Sequence, residues 1–399
     1  LGFARERFTV ITAPGTMAKL SMLFVVLLTF TGITFAQEAT TTGRVDCIFS
    51  SNSVNRSGEY AMRIEDIPTD YCTHVIYDNI ELESLTLTIM PSNPQYDILE
   101  NGWEKFIDLK KNNPTLKFLI SVKSALTSTL IETAAQRAEF IDVIVSILKE
   151  YKFDGVSILW FGYWNKAGFE EGSLYKLFEE MRRSFDASGH PDWEANIIII
   201  IDQKDIDHSR ICKVADSVSL LSMLDHVNQP SAANVAAPLN NLLFETGELQ
   251  NVSIKHSLQK WLNNGCPANK IILGLAFVGP TYILADTKKN GLGSPIIGPG
   301  KACSITDNEG SCAYFEVCQK YNETEWTFKW DEENASPYAF QDDQWIGYEN
   351  VASIERKASF AKSKGLAGVL GMNLSNDDYR GKCGEKYPLT KALWKGFRT

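Results

Sequence analysis

The chain has 399 residues, 44% of them hydrophobic, enough for one large barrel domain or two smaller domains. Its formal net charge of −10 argues against a nucleic-acid partner and against binding to anionic membranes. The charged residues are scattered rather than blocked, which is the pattern of a solvated acidic surface.

Taken in chain order, residues 1–16 precede Met17 and carry no initiator of their own, so they read as an upstream translated segment. Residues 17–36 read as a signal peptide. Lys19 gives a positive start, residues 23–30 form an apolar core, and Thr34 and Ala36 fit the small-residue cleavage rule. That core is too short to span a bilayer, and no other stretch approaches the length of a span. The mature chain is expected to begin near Gln37 and to be secreted and extracellular, without membrane insertion. Eight cysteines allow up to four disulfides in that compartment. The sequons at Asn55, Asn251, Asn322 and Asn334 are candidate glycosylation sites. Asn113 is excluded by the following proline. Asn373 falls in an apolar run and is not expected to carry a glycan.

Candidate strands cover residues 45–49, 74–80, 116–122, 153–161, 196–201, 218–224, 270–278 and 366–374. Apolar runs of this kind separated by helices indicate a parallel sheet covered on both faces. Eight in one chain favour a (β/α)8 barrel, in the α/β class, over an open sheet. The helix before the fourth strand is marked by Phe140, Ile141, Ile144, Ile147, Leu148 and Tyr151 at three- and four-residue spacing. Trp103 lies in the helix region after the second strand and reads as a helix-face residue. Residues 279–346 break the rhythm with clustered glycine and proline followed by aromatics, and read as a small α+β insertion between strands seven and eight. Trp330 and Trp345 are expected in its core. The barrel then comprises residues 37–278 and 347–399. The helix before the last strand should stop at Gly365, where glycine can take a left-handed cap.

The fourth strand reads Phe-Asp-Gly-Val-Ser-Ile-Leu-Trp-Phe-Gly from Phe153 to Gly162. Strand residues alternate faces, so Ser157, Leu159 and Phe161 share one face. The Phe153-Asp-Gly155 opening resembles the signature strand of glycoside hydrolase family 18, the chitinase family. Further segments resemble the same family: Asn269-Lys-Ile-Ile-Leu-Gly-Leu-Ala, Gly298-Pro-Gly-Lys, Ala313-Tyr-Phe-Glu-Val-Cys318, Gln344-Trp-Ile-Gly-Tyr348, Asn376-Asp-Asp-Tyr and Gly381-Lys-Cys383-Gly. The resemblance spans about residues 44–397 and implies a chitinase fold.

The resemblance also implies where catalytic acids would stand. In the family, Asp, Asp and Glu occupy alternate positions of the fourth strand, and the Glu protonates the glycosidic oxygen while the substrate's N-acetyl group attacks. Ser157, Leu159 and Phe161 hold those positions here, so the catalytic set is missing and no hydrolase activity is expected. Leu224 stands where the family has a tyrosine on strand six, with Asp225 kept beside it. Met372 stands where the family has the tryptophan beneath the central sugar. The family's Ser-x-Gly-Gly-Trp on strand three is Ser121-Val-Lys123-Ser-Ala125. By resemblance Asp154 is structural, and Cys47–Cys72 and Cys318–Cys383 are common family disulfides. Cys303 and Cys312 are close enough in sequence to close a loop. Cys212 and Cys266 precede neighbouring strands, and their pairing stays open.

The remaining ligand-binding candidates are Tyr163 and Trp164 in the loop after the fourth strand, Asp225, and Lys123 at the C-terminal end of a strand. Each also has a structural reading, as loop packing, a satisfied carboxylate or a surface lysine. No histidine has metal-ligand spacing with the cysteines, so neither a metal nor another cofactor is expected. Three functions follow. The first is a secreted, inactive chitinase-like ligand or modulator recognised by a protein receptor, similar to the insect growth-factor-like and mammalian chitinase-like branches. The second is a lectin for chitin or chito-oligosaccharides. The third is a hydrolase with relocated acids such as Glu170 or Glu171. A barrel of this kind needs no partner for its core, so a monomer is expected.

Overall fold

The computed structural model describes residues 43–83, 86–123, 130–160, 172–201, 206–222, 232–242, 244, 253–323 and 325–399. In chain order the strands of the first sheet are β1 (Arg44–Ser50), β2 (His74–Leu82), the short β3 (Ile89–Pro91), β4 (Lys117–Lys123), β5 (Gly155–Trp160), β6 (Glu194–Ile200), β7 (Val218–Leu221) and β8 (Ile271–Ala276). Six more follow: β9 (Val278–Leu284), β10 (Ile296–Pro299), β11 (Ser311–Ala313), β12 (Thr327–Asp331), β13 (Ser336–Gln341) and β14 (Gln344–Gly347). The last is β15 (Gly368–Met372). β1 pairs in parallel with both β15 and β2, which closes β1, β2, β4, β5, β6, β7, β8 and β15 into a barrel. The chain is therefore a (β/α)8 barrel, and β3 pairs antiparallel with the C-terminal end of β2, Ile80 to Leu82.

The barrel strands are apolar because both faces are covered, and every residue of β5 and β8 is buried. The helix Ala134–Tyr151 starts at Thr133, whose hydroxyl accepts from the Gln136 N–H while the Gln136 side chain reaches back to the Thr133 N–H. Its buried face is Phe140, Ile141, Ile144, Ile147 and Leu148. The helix Val351–Ser363 stops just before Gly365, whose φ of +67° is the left-handed conformation that ends a helix.

Inside the barrel, each of the eight strands contributes one aliphatic side chain to a single cluster. These are Ile48, Ile76, Leu119, Leu159, Ile198, Leu221, Ile272 and Leu370. Below it, toward the strand N-termini, lies a polar network. Arg44 donates to Asp46 at 2.7 Å and to Glu194 at 2.8 Å, His74 Nε2 lies 3.2 Å from Glu194, and Ser217 donates to Asn196 at 2.7 Å. Burial alone would raise the Glu194 carboxyl, but the Arg44 guanidinium and His74 hold it well below the usual carboxylate range.

The insertion between β8 and β15 is an antiparallel sheet in the order β10-β9-β14-β13-β12, with β11 paired to β9. Trp345 is fully buried, stacks on Tyr338 with centroids 5.3 Å apart, and donates to the Asn290 carbonyl at 3.1 Å. Trp330, expected beside it in the core, is instead 38% exposed. It sits on β12, the edge strand, where no further strand covers it, and its indole N–H donates to Glu332 at 2.6 Å.

The eight cysteines form four disulfides. Cys47–Cys72 ties β1 to the segment before β2, and Cys212–Cys266 ties the helix His208–Val214 to the turn before β8. Cys303–Cys312 closes a loop in the insertion, and Cys318–Cys383 fastens the insertion's helix Tyr314–Gln319 to the segment after β15. Among the described residues no helix is long and apolar enough to cross a membrane.

Candidate functional site

In parallel barrels the side chains that do chemistry stand at the C-terminal ends of the strands. On β5 the inward positions are Ser157 and Leu159, register partners of Ser121 and Lys123 on one side and of Asn196 and Ile198 on the other. Ser157 is fully buried, and its hydroxyl has no hydrogen-bond partner among the described residues. Leu159 is 6% exposed and is the β5 member of the eight-strand aliphatic cluster. The position where the family pattern expects an acetamide-orienting acid is therefore part of the barrel's packed interior. Met372, at the end of β15, packs partly buried against the same cluster.

Phe161, Tyr163, Trp164, Glu170, Glu171, Leu224 and Asp225 lie outside the described residues, as does the sequon at Asn251. Asn55 is exposed, whereas Asn334 is 4% exposed and its amide donates to Asp331 at 3.0 Å, so the folded surface does not present it as an acceptor. Only the backbone of Asn322 is described, at the end of the turn Lys320–Asn322. Lys123, the register partner of Leu159, stands at the strand end with its ammonium 3.5 Å from Glu81.

Asp154 stands at the opposite end of β5. Its carboxylate accepts from Lys110 at 2.8 Å and from the Phe118 N–H at 2.7 Å, which fastens β5 to β4 at the barrel floor.

Two features of the mouth were not singled out from sequence. Asp78, near the end of β2, accepts a hydrogen bond from Ser121 at 3.1 Å. Burial pushes its carboxyl up to about 6, against the opposing pull of the Ser121 bond and the Lys123 charge. The signal was available as an acid interrupting the apolar run His74-Val-Ile-Tyr77. The second is a groove of about 520 Å³ between the ends of β1 and β15 and the insertion, lined by Asn52, Arg56, Asp307, Asn373 and Asn376 among others. The Arg56 guanidinium donates to the Ser375 carbonyl and, at 2.8 Å, to the Asn376 side chain, and it lies 5.3 Å from the centre of the Phe315 ring. Burial lowers its pKa. The Asn373 side-chain oxygen is buried without a partner among the described residues.

The described mouth thus offers one desolvated acid, one cation held by neutral oxygens, and a polar groove. Neither Ser157 nor Leu159 can supply or accept a proton near neutral pH.

The fold is a closed eight-strand parallel barrel with an antiparallel insertion before its last strand. The model of Glycosyl hydrolases family 18 matches residues 44–377, and the chain belongs to that family. It is 31% identical over 379 residues to an endochitinase of Manduca sexta, covering 90% of this chain and 68% of that one. To human chitinase-3-like protein 2 it is 27% identical over 361 residues, covering 87% of this chain and 90% of the relative. Among solved structures it is similar to the Group IV chitinase of Ostrinia furnacalis, with TM-score 0.82 and 27% identity over 90% of this chain and 100% of that one. It is also similar to human YKL-39, a pseudo-chitinase with retained chitooligosaccharide binding properties, with TM-score 0.80 and 25% identity over 90% of this chain and 100% of that one.

Proposed function

We propose that this protein is a secreted chitinase-like protein without hydrolase activity, acting as a ligand or modulator through its surface. The observation that carries this reading is Leu159. An aliphatic packed among seven others inside the barrel can neither orient an acetamide nor share a proton with a neighbouring acid. Ser157 and Phe161, at the flanking positions, carry no carboxyl group either. The four disulfides fit an extracellular setting, as does the leader at residues 17–36. A protein receptor and a monomeric state belong to the same reading.

A second reading, a lectin for chito-oligosaccharides, is favoured by the polar groove between β1, β15 and the insertion and by the binding retained in YKL-39. One pair of measurements separates the two. Incubation of the purified protein with chitohexaose should release no shorter sugars, and release that is abolished by an active-site inhibitor would overturn the first reading. Calorimetric titration with chitohexaose then decides between ligand and lectin. Saturable heat at micromolar sugar makes the protein a lectin, and no heat at millimolar sugar leaves the receptor-directed role.

A further inference from the structure

In the insertion sheet, Thr281 on β9 faces its register partner Ile346 on β14, and Gln341 on β13 faces Gln344. These positions share one face of the sheet, opposite the face that buries Tyr282 and Trp345. A pocket of about 340 Å³ lies over it, walled by Lys301, Ser304, Lys320 and Trp326 and by Cys303 of the loop-closing disulfide. It shares no lining residue with the groove at the barrel mouth.

Its charge runs against that of the molecule. The chain has 49 acidic and 39 basic side chains, yet no carboxylate lines this pocket. Two described acids touch its lining amides rather than its lysines: Glu325 accepts from Gln341 at 2.6 Å and Asp343 from Gln344 at 2.9 Å. Neither Lys301 nor Lys320 has a carboxylate within ion-pair distance among the described residues. Lys320 is nonetheless held in place, its ammonium 5.1 Å from the centre of the Trp326 ring. The Lys301 backbone is tied by its N–H to Gln344 at 3.0 Å. Thr281, 3% exposed, has a hydroxyl with no partner among the described residues. A pocket floored by strands, with two lysines at its walls and an unspent hydroxyl, is suited to a small anion that also carries hydroxyl groups.

We propose that this pocket binds the anionic end of an acidic saccharide. The two ammonium groups take the carboxylate or sulfate, Ser304 and Thr281 meet ring hydroxyls, and the indole of Trp326 supplies an apolar wall. The volume sits at the low end of ligand pockets, roughly 300 to 1,000 Å³, which suits a terminal sugar residue rather than a long chain.

The test titrates the full chain at low salt with the methyl glycosides of glucuronic acid and of sialic acid. N-acetylglucosamine serves as the neutral control and sodium sulfate as the bare anion, and binding is read by ligand-observed magnetic resonance. At least one acidic glycoside is expected to bind saturably and to be displaced by sulfate. Lys301→Gln with Lys320→Gln should weaken it by roughly tenfold or more, with the melting temperature and the response to chitohexaose unchanged. Thr281→Val, which keeps the side-chain shape, should weaken it to a smaller degree. Equal binding by N-acetylglucosamine, or parental affinity in the double lysine variant, overturns the proposal. Binding of sulfate without either glycoside overturns the saccharide assignment and leaves an anion pocket only.

Discussion

Leu159 and Asp78 show how one side chain sets the character of the barrel mouth. Leu159 packs into the aliphatic interior and is 6% exposed, so an acid restored there would be largely buried. Leu159→Asp is expected to cost about 3 kcal/mol or more at pH 7. The loss should shrink toward pH 5, because the neutral acid is cheaper to bury than the carboxylate. Urea unfolding at the two pH values checks this, and an equal loss at both would mean that the position is hydrated. Asp78 already carries such a penalty. Its carboxyl is raised from the ordinary aspartate range to about 6 in the folded chain. Between those values the folded state binds the proton and the unfolded state does not, so stability falls as pH rises through about 6. Asp78→Asn removes the titrating group while keeping the size. Relative to the parent, the variant should gain stability between pH 5 and pH 7, by on the order of 1–3 kcal/mol. A parallel pH dependence in parent and variant would assign the slope to other groups.

The elements of the barrel were largely readable because parallel strands covered on both faces need near-continuous apolar runs. The helix Ala134–Tyr151 announced itself by its spacing, and the helix before β15 by Gly365. The short strand β3 was not foreseen. It holds three residues, one of them proline, and its partner is the C-terminal end of β2 rather than an apolar run of its own. Trp330 was misplaced for a related reason: its sequence neighbourhood is as aromatic as that of Trp345, and only the strand order makes β12 an edge.

At the same scale the disulfides differ in what they constrain. Cys212–Cys266 closes 54 residues and Cys303–Cys312 closes nine. Loop-closure entropy then predicts about 4 kcal/mol for the first and about 3 kcal/mol for the second. Replacing Cys212 and Cys266 together by alanine should therefore lower the thermal midpoint more than replacing Cys303 and Cys312. The reverse order would point to native-state contacts rather than chain entropy as the source of stabilisation.

For the molecule as a whole, the reading of residues 17–36 as a leader and the four disulfides belong to one expectation, export through an oxidising compartment. Expression of the full chain in a secretory host should give a medium-borne protein whose first residue is near Gln37, as read by N-terminal sequencing. A product that keeps residues 17–36 would sink the leader assignment. The sequence by itself determined the family, the barrel class, the place of the insertion and the absence of carboxyl groups at Ser157, Leu159 and Phe161. Those are properties of residue type and order along one strand or segment. Only the tertiary structure decided what surrounds each inward residue. Asp46 and Asp78 are both acids on inward faces, at equivalent steps of the alternation. Strand register places Asp46 at the floor against Arg44, and Asp78 near the mouth against a serine hydroxyl. Alternation gives the face a side chain points to. The stagger of eight tilted strands gives its depth and its neighbours, and that stagger is fixed only when the sheet closes on itself.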